Sequence, residues 1–213
     1  MKSANNCVLT APDSASLIIV ERCQSANTNV MSKKSKRPSV DQLREALALP
    51  DDKSATRMQI YEDYRQHTPM ISELSVLQQA LGHNDDFVVQ VAASSIGKLG
   101  KEALVVAGEG LTLDLCCAGS RTNGSYPPQA YMDCLEALVS INADPSAIID
   151  LVHCHFGITN WLAVRASLEA LKRTATSEAM DLLKRIVVFW WPELDKKQQE
   201  FVRTHFPESS GLT

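Results

Sequence analysis

Between Phe87 and Cys117 the chain reads FVVQVAASSIGKLGKEALVVAGEGLTLDLCC. Val88, Val91, Ala92, Ser95, Ile96 and Leu99 recur at helical spacing and make one apolar and small-residue stripe. Asp85 or Asp86 is placed to cap the start of this helix, and Gly97 and Gly100 mark its end. Lys101–Cys117 is predicted as one further helix, with Leu104, Val105, Leu111 and Leu115 on one side and Gly108 among them. A glycine inside a helix costs roughly 1 kcal/mol, so this position predicts a neighbouring helix packed close against Gly108. Val106, Gly110, Leu113 and Cys117 then fall on the opposite side at i, i+4, i+7 and i+11, a second apolar stripe that a surface helix does not need. Either the preceding helices or the Gly119–Pro128 loop cover that stripe, or it is a binding face over which the loop can move.

The same periodicity fills most of the chain. Ser39 and Gln42 have the spacing of a capping box, and that helix stops before Pro50. Asp51 or Asp52 caps the next, which runs to about His67 with Met58, Tyr61 and Tyr64 on one face. Thr68-Pro69 opens another, carrying Ile71, Leu74, Leu77 and Leu81 and closed by Gly82. After the loop come a helix to about Ser140, one from Asp144-Pro145 to Gly157, one from Asn160 to Arg173 and one from Ser177 to Phe189. Trp190-Trp191-Pro192 breaks the pattern before a last helix, Glu193–His205, with Leu194, Phe201 and Val202 inward, and Pro207 ends order. The expected fold is all-α over residues 39–207, with pairs at 54–81, 86–117, 127–156 and 160–189 and a capping helix at 193–205. Residues 1–38, rich in Ser, Asn, Thr and Ala and without periodicity, read as a disordered basic tail or leader; Met31-Ser-Lys-Lys looks like a natural start.

The pattern also repeats. Ile96 and Leu99 correspond to Leu135 and Leu138, then to Leu168 and Leu171, at offsets of 39 and 33 residues. Repetition at this period marks units that bury their apolar faces only by stacking. DDFVVQVAASSIGKLGKEAL resembles the HEAT repeats of the short bacterial kind named after phycobilisome lyases, whose pattern is Asp, Val-Arg, small residues, then Ala-Leu-Gly-x-Leu-Gly. Gln90 stands where that pattern has Arg, and Val164-Arg165-Ala166 with Leu168–Leu171 fits it in part. The resemblance implies a short right-handed α-solenoid, armadillo-like, whose second helices (101–117, 145–156 and 177–189) line a concave surface. The outward positions corresponding to the second stripe are Asp150 and Cys154 on the next of these helices, then Asp181 and Arg185.

Charge and chemistry narrow the function. Of 21 Lys/Arg and 25 Asp/Glu, residues 1–40 hold six and two, so the remainder carries 15 basic and 23 acidic residues, a net of −8. An acidic body argues against phosphate-backbone binding, which needs clustered Lys/Arg; only Lys33–Arg37 offers a nucleic-acid arm. Cys7, Cys23, Cys116, Cys117, Cys134 and Cys154 look like a reduced intracellular set, since 116 and 117 are adjacent and most lie in predicted helices. No apolar run has the length of a membrane span, and the chain reads as soluble and cytoplasmic. His153-Cys154-His155 fans out around its helix and cannot converge on one ion, so His155 is expected in the core and no metal or cofactor is expected. No nucleophile elbow, phosphate loop or dinucleotide fingerprint occurs.

These readings favour a non-catalytic scaffold that binds another protein. Its partner-binding residues are expected to be Val106, Glu109, Gly110, Leu113, Cys117, Asp150, Asp181 and Arg185, with Glu102 flanking. The alternatives are a lyase-like enzyme or ligand-binding protein, as the resemblance to lyase-type repeats implies, and a weak nucleic-acid binder acting through the basic tail.

Overall fold

Ser39 accepts a hydrogen bond from the Gln42 N–H while the Gln42 side chain accepts from the Ser39 N–H, the reciprocal cap that starts helix α1 (Val40–Leu47). The structure is a computed structural model and describes residues 36–121 and 128–209. After α1 come α2 (Ser54–Arg65), α3 (Leu74–Leu81), α4 (Asp86–Leu99), α5 (Lys101–Ala107), α6 (Glu109–Ser120) and α7 (Gln129–Ser140). Then follow α8 (Pro145–Cys154), α9 (Trp161–Thr174), α10 (Ser177–Trp190) and α11 (Lys196–His205), with no strand among the described residues. The fold class is all-α. Residues 1–35, which the sequence reading assigned to a disordered tail, lie outside the described residues, as does the stretch 122–127 of the Gly119–Pro128 loop.

The helices lie in two rows. α4 packs beside α2 on one flank and α7 on the other, and α7 beside α9; α6 packs beside α3 and α8, and α8 beside α10. Each helix of the second row also packs on the next helix of the first: α3 on α4, α6 on α7, α8 on α9. The core lies between the rows and includes Leu77, Leu81, Ile96, Leu111, Leu115, Leu135 and Leu138, all essentially inaccessible. The stripe Val88, Val91, Ala92, Ser95 and Ile96 is buried as its spacing predicts, with Leu99 partly so. α4 and α7 approach closest where both carry small residues, since a Cβ on Gly97 would stand 3.3 Å from the Ala137 Cα.

The predicted helix Lys101–Cys117 is two helices. Gly108 has φ +70° and ψ −167°, a conformation essentially restricted to glycine. There the chain turns by 111° between α5 and α6. A Cβ on Gly108 would meet nothing within 4 Å, so the glycine answers to backbone geometry and not to a neighbour. The tight crossing expected of it belongs to Gly119, where a Cβ would stand 3.0 Å from Leu151 Cδ1 and 3.2 Å from Cys134 Cβ. Gly119 is accordingly helical and buried, whereas it was expected to open the loop. Val105, placed by spacing among the core residues, is 83% exposed because the bend carries α5 away from the register of α6. Among the described residues no single helix is long and apolar enough to cross a membrane.

Two buried charges organise the N-terminal end. On α2 the inward face is Arg57, Tyr61 and Tyr64; Met58, expected there, is 44% exposed. Arg57 reaches the end of α1, donating to the carbonyls of Ala46 (3.2 Å) and Leu49, and lies 3.7 Å from Asp85, the N-cap of α4. A cation there complements the negative end of α1's dipole. Glu73, which sequence pattern did not distinguish, is buried and accepts from the Tyr64 hydroxyl (2.8 Å), the Met70 N–H (2.8 Å) and the Arg37 guanidinium, through Nε (3.2 Å) and Nη2 (2.6 Å). Arg37 and the buried Pro38 therefore belong to the folded body, two residues before the expected boundary at 39. At the other end Pro207–Ser209 continues as a 3-10 turn with Ser209 buried, beyond the expected end of order.

Four single substitutions separate these contributions. Arg37→Ala leaves the Glu73 carboxylate buried without its cation and should cost on the order of 3 kcal/mol in urea unfolding. Arg44→Ala breaks only an exposed pair with Asp41 and should shift stability by less than about 0.5 kcal/mol. Gly108→Ala should cost roughly 1–3 kcal/mol through its positive φ, whereas Gly110→Ala, inside α6 where a Cβ would meet only Gln78 Nε2 at 4.0 Å, should be neutral or gain up to about 1 kcal/mol.

Candidate functional site

The bend at Gly108 sets α6 so that Leu111 and Leu115 point into the core. A helical step of 100° per residue then carries Leu113 to the far side, where its side chain is 65% exposed. Glu109, Thr112, Leu113 and Cys116, at i, i+3, i+4 and i+7, make one wall of an open groove of about 850 Å³. Leu104 of α5 and Gly108 border it at the corner. The opposite wall is the connection Asn142–Asp144 and the first turns of α8: Pro145, Ser146, Ala147 and Asp150. Cys116 Sγ lies 3.6 Å from the Ala147 carbonyl, joining the two walls.

Local chemistry fixes the second wall. Asn142 takes a positive φ of 60°, a conformation asparagine tolerates better than most residues. Asp144 caps α8, accepting from the Ser146 N–H (2.8 Å) and hydroxyl (2.6 Å), with Pro145 at the first helical position. Those two bonds hold the Asp144 carboxyl below its usual value. Burial pushes the Cys116 thiol up to about 11, reinforced by neighbouring Cys117, Asp150 and Cys154. At neutral pH it is a thiol, not the thiolate a nucleophile requires.

Of the eight residues expected to form a partner-binding surface, the groove gathers Glu109, Leu113 and Asp150. Gly110 and Cys117 are exposed on α6 outside the groove lining, Gly110 beside Gln78. Val106 is 64% exposed but sits on α5, so the predicted stripe through Val106 is interrupted by the 111° turn. Asp181 and Arg185 are exposed on α10, away from the groove, Asp181 paired with Lys184 (3.8 Å) and Arg185 set 5.9 Å from the Phe156 ring. Thr112, Cys116 and the run Asn142–Ala147 were missed. Their only sequence signal is the Asp144-Pro145 helix start, and nothing in the pattern says which helix faces it.

The His153-Cys154-His155 cluster behaves as its spacing predicts. His153 and Cys154 are exposed, whereas His155 is buried with Nε2 2.9 Å from the Gly119 carbonyl and its ring 4.3 Å from Tyr131. A carbonyl only accepts, so Nε2 carries the proton. Burial lowers the His155 pKa against the opposing pull of that carbonyl, and the ring is neutral near pH 7. Tyr131 in turn donates to Ser167 Oγ (2.7 Å), which donates to the Ala163 carbonyl (2.8 Å). Among the described residues no three His, Cys, Asp or Glu side chains are grouped to hold a metal.

A second, polar recess of about 450 Å³ lies between α2, α4 and α7, lined by Arg65, Gln90, Val91, Ser94, Gln129 and Asp133. Burial pushes the Asp133 carboxyl up to about 6, opposed by the Gln129 amide that donates to it and by Arg65 and Lys98. Between the ordinary carboxylate value and about 6 the folded chain keeps a proton that the unfolded chain releases. The contribution of Asp133 to stability therefore falls as pH rises through that window and is lowest above it. Asp133→Asn should raise stability at pH 7 by up to about 2–3 kcal/mol and leave it unchanged at pH 4, measured as urea midpoints across that range.

Compared with known proteins, the chain matches no family model, no curated protein and no solved structure.

Proposed function

We propose that the chain is a non-catalytic interaction module of the HEAT-repeat kind, a short α-solenoid that works in the cytoplasm by holding a partner protein along its second row of helices, α3, α6, α8 and α10. The observation that carries the reading is the groove beside α6. Leu113 stands 65% exposed beside the Glu109 carboxylate, on a helix whose other face already fills the core with Leu111 and Leu115. An apolar side chain that the fold does not use, set in a concavity with a charged rim, is what an interface anchor looks like before its partner arrives. The repeat offsets of 39 and 33 residues and the two-row packing support the array. The protonated state of the Cys116 thiol, held up by burial, weighs against covalent chemistry in the groove.

Leu113→Asp tests the reading. Because the side chain is largely in water already, the variant should melt within about 0.5 kcal/mol of the wild type. Affinity capture with the full chain should then lose the protein that the wild type retains. Unchanged capture, or unfolding of the variant, would remove the groove as the interface.

A further inference from the structure

Resting on the reading of the groove as a binding face, we infer that its occupant is a basic segment of a partner protein, an apolar side chain flanked by Lys or Arg. The groove is amphipathic in a particular way. Leu104, Leu113, Ala143 and Ala147 supply apolar wall, while Glu109, Asp144 and Asp150 supply three carboxylates, and no Lys or Arg lines it. Glu109 comes from one wall and Asp144 and Asp150 from the other, so the negative charge brackets the apolar strip from both sides.

A helix start attracts anions by its dipole, but the donors at the start of α8 are already used. Pro145 has no N–H, the Ser146 N–H is held by Asp144 Oδ1 at 2.8 Å, and the Ala147 N–H by the Asp144 carbonyl at 3.1 Å. What faces the groove is carboxylate. The hydrogen bonds that lower the Asp144 pKa keep that charge in place.

The class of occupant follows from the cost of covering this rim. A partner that seats an apolar side chain against Leu113 strips water from carboxylates on both sides. An uncharged segment leaves them desolvated without a counter-charge, and an acidic one adds repulsion. Only a segment carrying cations beside its apolar residue satisfies both parts of the surface. Asp144 and Asp150 stand six positions apart, about 9 Å of helix rise, a span that two basic side chains on one peptide can reach together. The body beyond residue 40, with a net of −8, steers such a segment from a distance.

The full chain should be panned against a random-peptide display library, and the enriched peptides synthesised with a fluorophore and titrated by anisotropy. Enriched sequences should carry Leu, Ile, Met or Phe between Lys or Arg residues, and their binding should be lost in Leu113→Asp. Glu109→Gln combined with Asp150→Asn, two exposed changes that keep side-chain shape, should weaken them about tenfold, whereas Glu178→Gln on α10 should change nothing. Peptides that need Leu113 but lack basic residues, or that ignore the loss of both carboxylates, would overturn this inference while leaving the interaction-face reading intact. Absence of any enriched peptide that depends on Leu113 would overturn both.

Discussion

The close approach of α4 to α7 is the constraint on which the remaining packing depends. A Cβ on Gly97 would stand 3.3 Å from the Ala137 backbone, so the two helices meet with almost nothing between them. Both helices carry further small buried residues, Ala92 and Ala93 on α4 and Ala130 and Ala137 on α7. Contact at this distance gives many weak dispersion contacts and little tolerance for added volume. It also sets the spacing of the first row, and so the width into which the second row must fit. Gly119 of α6 repeats the device against Leu151 and Cys134.

Polar groups are folded into the same seams. Gly119 offers its carbonyl to His155, whose ring lies against Tyr131, and Tyr131 binds Ser167, so one buried chain of contacts runs through α6, α7 and α9. At the N-terminal end Arg57 and Glu73 do comparable work with full charges, one serving the carbonyl end of α1, the other receiving Arg37, Tyr64 and Met70. Tyr61, buried between them in sequence, keeps a hydroxyl without a partner.

How much of this was legible depended on whether the controlling physics was local. Caps at Ser39, Asp85, Asp144 and Asn160 and the buried stripe of α4 follow from residue type and spacing, and they stand where the pattern puts them. Gly108 shows where that logic fails. A glycine amid apolar residues is compatible with a tight crossing or with a positive φ, and the sequence does not separate the two. The misreading moved Val105 into the core and joined Val106 to a stripe it does not share. Glu73 and Arg57 were missed for a related reason, because a buried charge is recognisable only once its partner, 36 residues away for Glu73 and Arg37, is in place. For the groove, one wall was legible from the periodicity of α6, but the facing wall is a tertiary neighbour.

The split between Cys116 and Cys117 has a practical side. Adjacent in sequence, they differ in accessibility because one faces the α8 wall and the other faces outward; Cys134 is buried where α7 meets Gly119 of α6, and Cys154 is open on α8. Among the described residues a thiol-reactive dye would therefore find Cys117 and Cys154 and pass over Cys116 and Cys134. The two reachable sulfurs stand on the two helices that wall the groove. Neither lines the groove, so with Cys7 and Cys23 replaced a pair of labels at these positions reports the spacing of its two helices without occupying the concavity.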